Sequence, residues 1–248
     1  MEKKPLIQRK FNYKLLEDGF SKEDINSGVK VLLSRQITMA SQTKKFEEEF
    51  AKKLGVKYAL MVNSGSSANL LATFAAGNPL RKKRFKPGDE VLIPVLCWST
   101  SLWPLVQFGL KPVFVDVDVK SLNVNINDLI SKISNKTKAI MLINIHGNSS
   151  DIFKIKVIAK KKNIILIEDN CEALGSKLKN KYLGTFGDFA TFSFFYSHQI
   201  TSGEGGMVVC HNSKDYEILF ALRSHGWMGG TRFYPRSLKI YRKYAKKY

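Results

Sequence analysis

The sequence predicts an α/β fold in which a mainly parallel sheet is flanked by helices. Apolar runs of four or five residues recur along the chain, and segments of helical periodicity separate them. Short apolar strands joined by helices are typical of doubly wound parallel sheets, because each helix carries the chain back to begin the next strand. The 248 residues suit one large domain or two small ones, since domains commonly contain about 100–200 residues.

The elements follow one another in a regular order. Apolar residues recur every four positions from Phe46 to Leu54, and Gly55 follows them, so a helix is predicted over residues 43–54. Strands are predicted over residues 58–62, 90–93, 112–115, 139–143, 164–167, 191–195 and 207–210. Further helices are predicted up to residue 75 and over residues 101–108, 126–133 and 152–162.

The composition is that of a soluble globular protein with a large excess of positive charge. Apolar residues make up 44% of the chain and charged residues 25%, and the net charge is +19. The lysines are spread along the chain, which favours a solubilising role or an anionic nucleotide substrate over nucleic-acid binding. No apolar run reaches the ~18 residues of a membrane span, and the N-terminus lacks a signal-peptide core, so a cytoplasmic protein without a membrane partner is expected.

The three cysteines, Cys97, Cys171 and Cys210, lie far apart in the sequence and include no Cys-x-x-Cys pair. This spacing fits neither a zinc or iron–sulfur site nor a disulfide framework. We therefore expect buried thiols in a reducing compartment and no bound metal.

Three polar segments follow predicted strands, where parallel sheets collect their ligands. The segment Asn63–Asn69 turns from a strand into a helix, so it is either a phosphate site or a serine-capped turn. Asp169 follows a strand directly: either its carboxylate holds a pyridine nitrogen protonated, or Asp169 or Asn170 is the N-cap of a helix. His198 comes five residues after Ser193 and precedes a glycine-rich stretch; a lone histidine is more often structural than an acid–base group, and both readings stay open.

The order and spacing of these segments resemble the large domain of the DegT/DnrJ/StrS family. Members of that family are pyridoxal-phosphate (PLP) aminotransferases and related enzymes that act on nucleotide-linked keto-sugars. The similarity runs from about Ser27 to Trp227 and rests on NSGSSAN, on Trp98 in a loop, on EDN with Glu172, and on SFF followed by TSGEGGMV. It implies a fold-type-I PLP transferase large domain, a homodimer, and PLP or pyridoxamine phosphate (PMP) as the cofactor.

The resemblance also implies a set of cofactor-binding residues. They are Gly65 and Ser66 (phosphate, through backbone N–H groups), Ser193 (phosphate, through its hydroxyl), Trp98 (stacking on the pyridine ring), Asp169 (ring nitrogen) and Glu172 (near the cofactor).

His198 is the main departure from the aminotransferase pattern. Those enzymes carry their cofactor-anchoring lysine five residues after the serine that matches Ser193, and no lysine occurs between Lys181 and Lys214. Histidine cannot anchor the cofactor covalently, but it moves protons near neutral pH. The change resembles the 3-dehydratases of 3,6-dideoxysugar (lipopolysaccharide O-antigen) biosynthesis. It implies 3-dehydration of a nucleotide-linked 4-keto-6-deoxyhexose, with His198 as acid and base and an amino donor such as glutamate.

The remaining expectations concern the branch and the domains. Only Cys210 follows His198, so the resemblance is to the cluster-free GDP-sugar branch rather than to the branch with an iron–sulfur centre. A sugar-nucleotide aminotransferase and an inactive truncated cofactor-binding fragment remain alternatives. The expected organisation is an N-terminal arm and helix over residues 1–40, a PLP-binding large domain over 41–230, and a basic tail over 231–248 that resembles the truncated start of the family's small C-terminal domain.

Overall fold

The computed structural model describes residues 19–228, which form a seven-stranded sheet with helices on both faces. The strands of this sheet are β1 (Tyr58–Val62), β2 (Glu90–Pro94), β3 (Lys111–Val115), β4 (Thr137–Ile143), β5 (Ile165–Asp169), β8 (Phe189–Ser193) and β9 (Gly206–Cys210), while β6 (Lys177–Leu178) and β7 (Lys181–Tyr182) form a separate hairpin. The helices are α1 (Lys22–Ser34), α2 (Ser41–Leu54), α3 (Gly65–Ala76), α4 (Ser99–Gln107), α5 (Ile126–Lys132), α6 (Ile152–Lys162) and α7 (Ser213–Arg223), with a short 3-10 helix at Ile145–Gly147. The first part of the expected arm and the whole basic tail lie outside the described residues.

The sheet has the strand order β1-β9-β8-β5-β4-β2-β3. Every neighbouring pair from β8 to β3 is parallel, and β9 alone runs antiparallel to both of its neighbours. The predicted mainly parallel sheet with flanking helices is therefore confirmed. Because β1, β5 and β8 run in one direction, their carboxyl ends lie at the same edge of the sheet.

Alternate residues of the central strand β5 pack on opposite faces of the sheet. Ile165 and Ile167 belong to the apolar cluster that contains the inner face of α3, whereas Leu166 belongs to the cluster beneath α6. The inner face of α3 consists largely of alanines, namely Ala68, Ala72, Ala75 and Ala76. Such small side chains let the helix lie close against the strands, which brings its N-terminus to the carboxyl edge of the sheet.

Two details differ from the sequence-based expectations. The strand predicted over 191–195 runs instead from Phe189 to Ser193, because the chain then leaves the ladder in a loop closed by the Phe194 N–H donating to the Gly205 carbonyl. The three thiols are not all buried: Cys210 is, but Cys97 and Cys171 are only half-buried. Both half-buried cysteines lie in loops at the carboxyl edge, where packing is incomplete.

No helix among residues 19–228 is long and apolar enough to cross a bilayer.

Candidate functional site

A cavity of about 530 Å³ opens where the carboxyl ends of β5 and β8 meet the N-terminus of α3. Its lining comprises Ser64, Gly65, Ser66, Trp98, Thr100, Ser101, Ile143, Ile145, Asp169, Cys171, Glu172, Ser193, Phe195, Ser197, His198 and Glu204. All seven residues singled out by the family resemblance are in this set. Cavities of about 300–1,000 Å³ with a few convergent polar groups are typical small-molecule sites. A larger groove of about 750 Å³ along α2 has mainly apolar walls and contains none of the seven.

The N-terminus of α3 forms one end of the cavity. The Ser64 hydroxyl caps the helix by accepting a hydrogen bond from the Ser67 N–H at 3.1 Å. The N–H groups of Gly65 and Ser66, which belong to the first turn, have no acceptor within the helix. The serine cap and the anion site predicted from the sequence are thus compatible, because capping consumes one N–H and leaves two directed towards the cavity.

Gly65 lies against the end of β8 so closely that a side chain would not fit. A Cβ atom at position 65 would lie 2.6 Å from the Ser193 Cβ and 2.9 Å from the Cys171 Sγ. The Ser193 hydroxyl oxygen accepts from the Phe195 N–H at 3.2 Å, and its own proton remains free to donate. Three donors, the two helical N–H groups and this hydroxyl, therefore converge on one corner of the cavity.

Asp169 ends β5 and is held by neighbours from three other segments. Its Oδ2 accepts hydrogen bonds from Asn69 Nδ2 and Ser101 Oγ, each at 2.7 Å, and its Oδ1 accepts from the Cys171 N–H at 3.0 Å. Asn69 is in turn fixed by Thr191, whose hydroxyl donates to Asn69 Oδ1 at 2.6 Å. No helix follows Asp169, so the alternative helix-cap reading is wrong.

The orientation of Asp169 leaves it able to accept one more hydrogen bond. An ionised carboxylate has about four lone-pair sites, and the three donors occupy two on Oδ2 and one on Oδ1. Asp169 is 5% exposed and contributes to the cavity lining. The arrangement suits a ligand that carries an N–H or O–H donor.

Glu168, the neighbour of Asp169, points to the opposite face of the sheet and has a structural role. Its carboxylate is fully buried and accepts hydrogen bonds from the backbone N–H groups of Gly184, Phe186 and Gly187 at 2.6–2.8 Å. It does not line the cavity. Because successive side chains of β5 point to opposite faces of the sheet, Asp169 lies at the cavity while Glu168, its neighbour in sequence, has a structural role.

Glu172 lies on the cavity wall and is contacted from the segment that follows β4. Its Oε2 accepts from the His146 N–H at 3.0 Å, and His146 Nδ1 lies 3.3 Å from the same oxygen. His146 adopts a left-handed backbone conformation, with φ 50° and ψ 27°. The Glu172 carbonyl accepts from Gln199 Nε2 at 2.7 Å, which ties this wall to the loop that carries His198.

Trp98 and His198 flank the open side of the cavity. Trp98 directly precedes α4 in extended backbone conformation and is 73% exposed. His198 is half-buried in the β8–β9 loop, where its N–H donates to the Phe195 carbonyl at 3.0 Å and its ring packs edge-on at 6.2 Å from the Phe195 ring. The imidazole is therefore held at the cavity wall by its own short turn.

The thiols around Asp169 are kept protonated. Burial, and then the Asp169 charge, raise the pKa of Cys97, and the same causes raise the pKa of Cys171 well above its usual value.

No group of three or more His, Cys, Asp or Glu residues in the described part of the chain is arranged to hold a metal ion.

Three residues of the site are not predicted from the sequence: Asn69, Ser101 and Thr191. Asn69 and Thr191 have mainly apolar neighbours, whereas Ser101 follows Ser99 and Thr100, and each of the three is fully or almost fully buried. A buried polar residue on the inner face of α3 was the available signal for Asn69, since buried polar groups need partners. Its partners, Asp169 and Thr191, are 100 and 122 positions away in sequence, so the hydrogen-bond network cannot be read from the sequence around Asn69.

Comparison with known proteins places this geometry in a family. The model of the DegT/DnrJ/EryC1/StrS aminotransferase family matches residues 19–239. The GDP-4-keto-6-deoxy-D-mannose 3-dehydratase of Escherichia coli is 43% identical over 229 residues, which cover 92% of this chain and 58% of that protein.

Solved structures of this type of enzyme are similar to the chain. A GDP-4-keto-6-deoxymannose-3-dehydratase mutant with bound GDP-perosamine is 42% identical, with a TM-score of 0.84, over 88% of this chain and 56% of that one. The E. coli enzyme with bound hydrated PLP is 43% identical, with a TM-score of 0.83, over 87% of this chain and 55% of that one. The chain spans a little over half the length of these relatives. The predicted resemblance is confirmed: the chain belongs to the DegT/DnrJ/EryC1/StrS aminotransferase family.

Proposed function

We propose that the chain binds PLP or PMP and serves 3-dehydration of a nucleotide-linked 4-keto-6-deoxyhexose, a step towards a 3,6-dideoxysugar. One observation carries the proposal. A histidine, His198, occupies the cavity wall five residues after Ser193, and the described lining contains no lysine. Without a lysine amine in this lining, the protein would not hold a pyridoxal-type cofactor covalently. A histidine in the lysine's place favours a role in proton transfer instead.

The phosphate corner fits the cofactor. A phosphate ester at the N-terminus of α3 would accept from the N–H groups of Gly65 and Ser66 and from the Ser193 hydroxyl, and the helix dipole favours its negative charge there. The missing side chain at position 65 keeps the helix and β8 in contact, because a Cβ would meet Ser193 at 2.6 Å.

The ring of the cofactor would lie beside Asp169. Asp169, fixed by Asn69 and Ser101, would accept from a protonated pyridine nitrogen and keep it charged. Trp98 would lie against the ring and exclude water from one face, and Glu172 would lie near its edge. When bound, the cofactor supplies an amine that reacts with a keto-sugar and a ring that accepts electrons.

His198 would act as the acid and base. Its imidazole would take up a proton at one ring nitrogen and give it to the departing C3 hydroxyl, which leaves as water; histidine is the side chain that enzymes use most often for such transfers. It is the only histidine in the described cavity lining. The aminotransferase alternative needs an amine at this position, which the chain lacks.

The partners proposed are a GDP-linked sugar, glutamate as amino donor, and a second copy of the chain. The GDP-sugar choice follows the names of the similar proteins, and the homodimer is supported by exposed apolar side chains beside the cavity, including Val95, Leu96, Trp98 and Trp103. We also propose residues 41–230 as the cofactor-binding domain, preceded by an arm, since α1 contains no buried residue.

The test is a turnover assay on the purified chain. With PMP, glutamate and GDP-4-keto-6-deoxymannose, we expect the 3-deoxy product and ammonia, and we expect His198→Asn to reduce turnover at least ~100-fold, the lower range of general acid–base contributions, while PMP still binds. His211→Asn, at an exposed position outside the cavity, is the matched control and should retain activity. Wild-type protein that binds PMP but forms no product, or full activity in His198→Asn, contradicts the proposal.

A further inference from the structure

A strongly basic surface lies across the sheet from α3. We call it the basic face and define it as α6 together with the β6–β7 hairpin (residues 177–182). These segments contain eight lysines and no acidic residue: Lys154, Lys156, Lys160, Lys161, Lys162, Lys177, Lys179 and Lys181. Both segments pack on the cluster that contains Leu166 and Phe186, whereas the candidate site opens at the N-terminus of α3.

Three lysines of the basic face contact a pair of aromatic rings that join α6 to the hairpin. The ammonium groups of Lys156 and Lys181 lie 5.7 and 4.7 Å from the centre of the Phe186 ring. Lys179 lies 5.2 Å from the Phe153 ring, which packs edge-on against Phe186 at 5.2 Å. Lysines over aromatic faces keep a defined position while their charge remains directed to solvent.

The positive charge of the basic face is not neutralised within the described structure. None of its eight lysines forms an ion pair with another residue in the range 19–228. The neighbouring carboxylates are engaged elsewhere: Asp151 caps α6 by accepting from the Lys154 N–H, Glu168 accepts three backbone N–H groups, and Asp188 pairs with Arg81 and Lys83. The lysines repel one another, since Lys181, after burial, lowers the pKa of Lys156.

Apolar side chains are exposed between the lysines. Phe153 and Val157, one turn apart on α6, are 37% and 66% exposed. A free phosphate or a nucleic-acid backbone would contact lysines alone. A bilayer of anionic phospholipids offers phosphate headgroups, which attract the lysines, and acyl chains just below them, which can bury the exposed Phe153 and Val157 side chains.

In contrast to the sequence-based expectation of no membrane partner, we propose that the basic face binds the surface of an anionic phospholipid bilayer. The chain would contact the membrane surface through α6 and the hairpin, without spanning the bilayer. The candidate site, at the N-terminus of α3 across the sheet, would stay open to solvent. This role accounts for part of the net charge of +19 that a nucleotide substrate does not need.

The test is sedimentation of the full chain with phosphatidylcholine vesicles that contain or lack about one-third phosphatidylglycerol. We expect binding only to the anionic vesicles, and its loss in 0.5 M NaCl, because the Debye length falls to a few ångströms. Each lysine near such a surface strengthens binding about fivefold. The triple variant Lys156→Gln, Lys179→Gln, Lys181→Gln should therefore bind about a hundredfold more weakly.

Matched variants separate the surface from the overall charge. The triple variant Lys30→Gln, Lys45→Gln, Lys111→Gln loses the same charge from exposed positions outside the basic face and should bind almost as well as wild type. Replacing the three basic-face lysines by Arg should preserve binding even if the Gln variant proves less stable. The proposal is overturned if the wild-type protein does not bind anionic vesicles or if both triple Gln variants lose binding equally. It is also overturned if a DNA duplex displaces the protein from the vesicles at equal phosphate concentration.

Discussion

Asn69 Nδ2 donates a 2.7 Å hydrogen bond to Asp169 Oδ2, and this contact joins the first turns of α3 to the end of the central strand. Both side chains are at most 5% exposed, and Thr191 and Ser101 complete the network around them. A carboxylate held by neighbours from two helices and a loop cannot rotate freely. Its remaining acceptor site is therefore directed into the cavity before any ligand arrives.

Loss of the Asn69 amide should weaken both the fold and the site. Asn69→Leu would leave the Thr191 hydroxyl and one Asp169 oxygen short of a partner in a buried position, so we expect the free energy of unfolding to fall by about 2 kcal/mol. We also expect PMP to bind about tenfold more weakly, because Asp169 would no longer be held in place. Urea unfolding and an absorbance titration with PMP measure the two effects.

Asn135→Ala, an exposed position far from the cavity, is the control and should change neither quantity. Unchanged PMP affinity in Asn69→Leu protein that is folded would show that Asp169 does not depend on this network.

Gly65 should tolerate no side chain. In Gly65→Ala the new Cβ would lie 2.6 Å from the Ser193 Cβ, so α3 or the end of β8 must move and the three phosphate donors would separate. We expect the dissociation constant of inorganic phosphate and of PMP to rise at least about tenfold. Gly28→Ala is the matched control, since nothing lies within 4 Å of its Cβ, and it should bind both ligands as wild type does. Equal affinities in the two variants would contradict a phosphate site at this helix end.

The backbone at His146 should matter more than its imidazole. The N–H of His146 donates to Glu172 Oε2 at 3.0 Å, whereas its ring nitrogen lies 3.3 Å from the same oxygen. The histidine side chain is 72% exposed, so solvent weakens the ring contact. His146→Gly keeps the N–H and suits the left-handed conformation, so we expect PMP affinity within about threefold of wild type. His146→Pro lacks the donor and cannot adopt φ 50°, so we expect a loss of more than tenfold. The reverse order of affinities would show that the imidazole holds Glu172.

The three thiols should differ in reactivity. Burial raises the pKa of Cys210 to about 12, so almost no thiolate forms there at pH 8, and labelling by iodoacetamide should require unfolding. Cys97 and Cys171 are half-buried with raised pKa values, so they should react slowly, and faster as pH rises from 7 to 9. PMP should protect Cys171 because this residue lines the cavity. Peptide mass spectrometry checks the order, and rapid native labelling of Cys210 would contradict it.

The fold was predictable because its signals are local. Apolar runs such as Tyr58–Val62 and the four-residue spacing from Phe46 to Leu54 depend only on neighbouring residues, and these elements form where the sequence predicts them. The direction of β9 was not predictable, since pairing with β1 and β8 depends on residues about 150 and 17 positions away. The end of β8 differed for a similar reason: Phe194 bonds to Gly205 across a loop.

The site was predictable only where residue spacing resembles a family. Gly65, Asp169, Ser193 and His198 follow strands or open a helix, and they do meet in one cavity. The roles assigned to them remain predictions. Asn69 holds Asp169, Thr191 holds Asn69, and His146 contacts Glu172. No local pattern shows these contacts, so they emerge only from the folded arrangement.

The most direct test of the central claim concerns the covalent state of the cofactor. Wild-type protein mixed with PLP, treated with borohydride and digested should yield no cofactor-labelled peptide from the cavity, because its described lining contains no lysine. His198→Lys should place a lysine amine beside the bound PLP and yield a label on residue 198, detected by mass spectrometry. Absence of that label in a folded variant that binds PLP, or specific labelling of wild type at another cavity residue, would contradict the account of His198 as the acid–base group of a pyridoxal-type site.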